Sequence, residues 1–121
     1  TTSVSTTITN IVTYGANTVM ATFYKQTTDT NNNVLAQIPA ATYRSAEFII
    51  QGDSGTKYQS STVKSIHNGS TADWTEYSSI NLGGQVGTFT VDYNTGNMRL
   101  LAASTSGTTT NYKITAILTK I

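Results

Sequence analysis

The chain has 121 residues, the size of one domain, and at this length it can bury a core without a disulfide or a metal. It contains no cysteine, which excludes thiolate catalysis, cysteine-ligated zinc and iron–sulfur centres. Only 11% of the residues are charged, against about 25% in an average domain, and the seven Lys/Arg are too scattered to form a phosphate-binding patch, so no nucleic-acid partner is expected. Polarity comes instead from threonine, serine and asparagine. Threonine suits a pleated, half-solvated surface, and asparagine, serine and glycine suit turns. No apolar run reaches the roughly 18 residues of a membrane span, and Thr1-Thr2-Ser3-Val4 lacks the basic start and apolar core of a signal peptide.

No apolar stripe of helical period is sustained, whereas strand signals recur at short spacing. Val4 to Tyr14 reads as a strand closed by Gly15-Ala16-Asn17, and Thr18 to Thr27 as its partner, with Val19, Ala21 and Phe23 on one face. After the polar tip Asp29 to Asn33, Val34 to Ala41 runs through Pro39 as an edge or crossing segment, because proline cannot donate to a central ladder. Tyr43 to Gln51 alternates Ala46, Phe48 and Ile50 with Glu47, Ile49 and Gln51. Lys57 to His67 and Ala72 to Ile80 flank the hairpin signal Asn68-Gly69, and Gly83-Gly84 turns the chain into Val86 to Tyr93. Asn94-Thr95-Gly96 reads as a three-residue hairpin loop with glycine in the left-handed position, leading to Met98 to Ala103. A Ser/Thr/Gly loop precedes Tyr112 to Ile121. The fold expected is all-β, a two-sheet antiparallel β-sandwich or jelly-roll-like arrangement of about eight strands, forming one domain over residues 1–121.

Two segments are apolar on both faces: Phe48-Ile49-Ile50 and Met98 with Leu100-Leu101. Either a loop covers their outer side, or a subunit or partner does. Ile49 and Leu101 are therefore candidate contacts. Trp74 and Tyr77 are two more, since an aromatic on a β platform can stack on a sugar ring; three positions apart on a strand, they face opposite ways.

The search for chemistry returns no catalytic residue, no cofactor and no metal. His67 is the single histidine, beside a turn with Ser65, Ser70 and Asp73 nearby, and reads as a surface residue. Asp73 and Glu76 point to opposite faces and cannot act as a glycosidase pair. Glu47 beside Arg44 reads as half of a structural ion pair. Asp29 to Asn33 begins like a calcium loop, but Val34 and Ala40 stand where glycine and glutamate are required. Asn68-Gly69-Ser70 matches a glycosylation sequon and reads as a turn.

From Tyr43 onward the blocks follow a recognisable order: Arg44-Ser45-Ala46-Glu47-Phe48-Ile49-Ile50-Gln51, Gly55-Thr56-Lys57-Tyr58-Gln59 and His67-Asn68-Gly69-Ser70-Thr71-Ala72. Thr75-Glu76-Tyr77, Gly87-Thr88-Phe89 and Gly96-Asn97-Met98-Arg99-Leu100-Leu101 continue it, up to the β-rich segment from Tyr112 to Thr119. The pattern resembles a domain of virion structural proteins of tailed bacteriophages, cyanophages among them, including tail-fibre-like proteins. It covers residues 43–119 and leaves residues 1–40 as an attachment or extra-strand segment. The resemblance implies a non-enzymatic particle component, assembled in the host cytoplasm and located in the virion. A capsid decoration or cement protein on the major capsid protein is the leading expectation, as a homo-oligomer. A tail, baseplate or tail-fibre module bound to other virion proteins, or to a host glycan, is the alternative.

Overall fold

A computed structural model describes residues 11–121. Nine strands and no helix lie among them: β1 (Ile11–Tyr14), β2 (Thr18–Thr27), β3 (Asn32–Pro39), β4 (Tyr43–Asp53), β5 (Tyr58–His67), β6 (Ala72–Leu82), β7 (Gly87–Asn94), β8 (Asn97–Ser104) and β9 (Thr110–Lys120). The expected first strand is seen as its last four residues; its part from Val4 lies outside the described residues. The segment through Pro39 is a full strand, β3, and it lies at a sheet edge as proline requires.

All pairings are antiparallel. A six-stranded sheet runs β1-β2-β9-β4-β5-β6, and a three-stranded sheet runs β3-β8-β7. The two stack as a sandwich, with β3 beside β2 at one end and β7 beside β5 and β6 at the other. β9 sits between β2 and β4 and is laddered on both sides over nearly its whole length.

The inner faces follow from the two-residue period. Val19 and Ala21 of β2, Phe48 and Ile50 of β4, Val63 of β5 and Ile114, Ala116 and Leu118 of β9 meet Ile38, Phe89, Val91, Met98, Leu100 and Ala102 of the small sheet. Tyr112 lies in this core with Phe89 edge-on at 5.9 Å between ring centres. Its hydroxyl is within 2.6 Å of Ser104 Oγ, which lies 2.9 Å from Thr27 Oγ1, so a buried polar chain ties the sheets together.

One turn differs from expectation. Asn94 and Asn97 pair as the last rung of β7 and β8, so the loop is two residues, Thr95-Gly96. Both have positive φ, 48° and 78°, the signature of a primed turn whose twist matches that of the strands.

Candidate binding face

The single histidine is not a surface residue. His67 is 4% exposed, on the inner side of β5. The Gly69 N–H donates to its Nδ1 at 3.0 Å, which leaves the hydrogen on Nε2 to be donated to the Tyr43 carbonyl at 2.6 Å. Both ring nitrogens thus hold backbone, and the ring joins the start of β4 to the β5–β6 turn. In that turn Asn68 Oδ1 accepts from the Ser70 and Thr71 N–H groups.

The expected Glu47–Arg44 pair does not form. The register of β4 shifts at Arg44, and its guanidinium donates to the His67 carbonyl at 3.0 Å. Glu47 instead accepts from the Tyr77 hydroxyl at 2.6 Å, a bond that raises the phenol above its ordinary value. The ion pair among the described residues is Arg99 with Asp92, bidentate at 2.8 and 2.6 Å across β8 and β7. Asp73 and Glu76 do face opposite ways: Asp73 sits in the outer row with Ile66 and Ser45, while Glu76 is paired with inward Val63 and accepts from Ser61 Oγ. Asp29 Oδ1 accepts from the Asn31 N–H and the Asn33 side-chain amide, closing its loop on itself.

Of the four candidate contacts, the sheet brings two together. Ile49 and Tyr77 share one row of the large sheet's outer face, Thr22–Thr115–Ile49–Thr62–Tyr77, and are 43% and 41% exposed. Among the described residues no loop covers Ile49. Trp74 is on the opposite face, half-buried against the core. Leu101 lies on the outer face of the small sheet, flanked by Val34 and Thr90, and is 8% exposed.

The outer face of the large sheet also carries a feature the sequence did not announce. Tyr24, Lys113 and Gln51 form one row across β2, β9 and β4, and Gln26, Asn111 and Asp53 form the next. These six line a hollow of about 340 Å³. Beyond Gln51 a second hollow of about 370 Å³ is lined by Tyr58, Ser60, Ile80 and Leu82, among others. The two share Gln51 and make a trough across five strands. In the chain this is three polar pairs at two-residue spacing, Tyr24/Gln26, Gln51/Asp53 and Asn111/Lys113; only the insertion of β9 between β2 and β4 makes them neighbours.

Comparison with known proteins adds no identity: no protein-family model and no curated protein matches this chain.

Proposed function

We propose that this chain is a non-enzymatic structural component of a tailed-phage particle, a decoration protein that binds the major capsid shell as a symmetric homo-oligomer and reinforces it. The observation that carries the reading is the uncovered outer face of the six-stranded sheet. It presents Ile49 at its centre and Tyr77, Ile80 and Leu82 towards its β6 edge, in a field of threonine. The row Thr22–Thr115–Ile49–Thr62 is uncharged and β-branched, and such a strip can be buried on a partner without the desolvation penalty of unpaired charge. The ordered blocks from Arg44 to Leu101 support the same reading. His67 supports its non-enzymatic part, since backbone groups occupy both of its nitrogens.

Reconstruction of the native particle by cryo-microscopy tests the proposal. The expected result is density for this sandwich at capsomer junctions with the large sheet facing the shell. Density on the tail, baseplate or a fibre with a bare capsid would overturn decoration. Ile49→Asp should leave the isolated fold within about 1 kcal/mol of its original stability, as an exposed substitution. The same change should lower capsid occupancy at least tenfold in a rebinding assay on stripped particles.

A further inference from the structure

The trough on the large sheet's outer face is built for a ligand of its own. We propose that it binds a neutral oligosaccharide of a few linked pyranose rings, with Tyr24, Gln51 and Asn111 as the principal contacts. The trough lies on the same face as the proposed capsid contact, so the sugar binds the free chain and competes with docking on the shell; it sits away from Trp74 and Tyr77.

Length comes first. The row from Tyr24 to Ile80 crosses β2, β9, β4, β5 and β6, four inter-strand steps, which is about 19 Å at the usual sheet spacing. That span and the two adjoining hollows of about 340 and 370 Å³ suit a short chain of rings laid across the strands.

Chemistry comes second. The Tyr24 hydroxyl donates to Asn111 Oδ1 at 2.6 Å, and Gln26 Nε2 donates to the same oxygen at 3.1 Å. Asn111 Oδ1 is thereby filled, so its Nδ2 is the group left to donate, and Gln26 keeps its Oε1 as an acceptor. The Gln51 amide, Lys113 and the second oxygen of Asp53 have no protein hydrogen-bond partner among the described residues. Donors and acceptors therefore alternate along the floor, the complement that vicinal hydroxyls require. The Tyr24 ring is held in place by its own hydroxyl, so it offers a fixed apolar surface to a ring's C–H face at little ordering cost. Tyr58 offers another at the far half. Lys113 and Asp53 put one charge of each sign in the same hollow, so it carries no net charge that would select an anionic or a cationic sugar over a neutral one.

The test uses the purified full chain on an array carrying neutral tri- to pentasaccharides of gluco, manno and galacto configuration, together with bacterial surface polysaccharides and their acidic counterparts. Binding to a neutral glycan is expected. Tyr24→Ala and Gln51→Ala, both exposed and checked for an unchanged melting transition, should each weaken it at least tenfold. Thr88→Ala, at an exposed position on the outer face of the small sheet, should leave it unchanged. In a titration followed by two-dimensional NMR, the side-chain amides of Gln26, Gln51 and Asn111 should shift. A silent array overturns the proposal, as does binding only to charged glycans, or binding that both alanine variants retain. None of these outcomes bears on where the chain sits in a particle, so the two readings fail separately.

Discussion

Tyr112 shows how tightly one side chain can be specified. Its hydroxyl meets Ser104, its ring meets Phe89, and a Cβ at Gly87 would stand 2.5 Å from its oxygen and 3.3 Å from the Ala103 carbonyl. Gly87 is therefore glycine because of close approach and not because of a turn. Gly87→Ala should destabilise by about 1–3 kcal/mol, the range for overpacking. Adding Tyr112→Phe to it should recover part of the loss, which chemical denaturation of the two variants would show. Burial raises the Tyr112 phenol above its ordinary value, outweighing the Ser104 hydrogen bond that lowers it. The folded form thus favours the neutral phenol. Its contribution to stability is intact below the unfolded value of about 10 and is lost as the pH climbs towards the raised folded value. Tyr77, raised by its bond to Glu47, acts with the same sign. Denaturant midpoints taken at neutral pH and at about pH 11 should differ most in the native chain, less in Tyr112→Phe, and least when Tyr77→Phe is added.

Among the elements, β5 departs furthest from a plain hydrophobic alternation. Its inward row is Gln59, Ser61, Val63, Ser65 and His67, all buried. Each polar member with a good bond fixes another element. Gln59 Oε1 accepts from the Val86 and Gly87 N–H groups at 2.7 and 3.0 Å, pinning the start of β7 to the large sheet. Gln59→Ala would leave two backbone donors unpaired and should cost about 2–4 kcal/mol, with the lost protection in hydrogen exchange centred on residues 86 and 87. This row also marks a boundary of what sequence can convey. Alternation of apolar residues gave β2 its bounds of Thr18 and Thr27 and gave β4 its inward Ala46, Phe48 and Ile50, because solvent sorts those side chains without help from distant parts of the chain. A buried serine or histidine has no such signature. His67 reads as a surface residue until Tyr43 and Gly69, one of them 24 positions away, are seen to satisfy it. The two-residue Thr95-Gly96 turn is hidden from the sequence for a related reason: a β-branched residue at positive φ is disfavoured, and the Asn94–Asn97 rung imposes it.

At the scale of the whole molecule, the two-sheet antiparallel architecture was legible and the order of strands was not. Nothing local in Thr110 to Lys120 states that it lies between Thr18–Thr27 and Tyr43–Asp53, yet that placement assembles both the open face around Ile49 and the trough beside it. Ile49 was legible as a candidate because Phe48-Ile49-Ile50 is apolar on both faces, and Tyr77 because it is an aromatic on an expected strand. Tyr24, Gln51 and Asn111 were not, because their meeting depends on three strands far apart in sequence. Native-state hydrogen exchange should find β9 the most protected strand, being laddered on both sides, with β1 the least. An order of protection with β9 no slower than β6 would contradict this topology. The position of β9 has a further consequence, for synthesis. It is the last strand of the sandwich to leave the ribosome, and the β1–β2 and β4–β5–β6 portions of the large sheet have no ladder to each other without it. At about 5–20 residues per second, β2 waits on the order of ten seconds for its neighbour. During that interval the edges of β2 and β4 face the cell as unpaired ladders. Neighbouring nascent chains then present the same open edges, and the charged Lys25 of β2 and Arg44 and Glu47 of β4 are the residues that disfavour their pairing with one another.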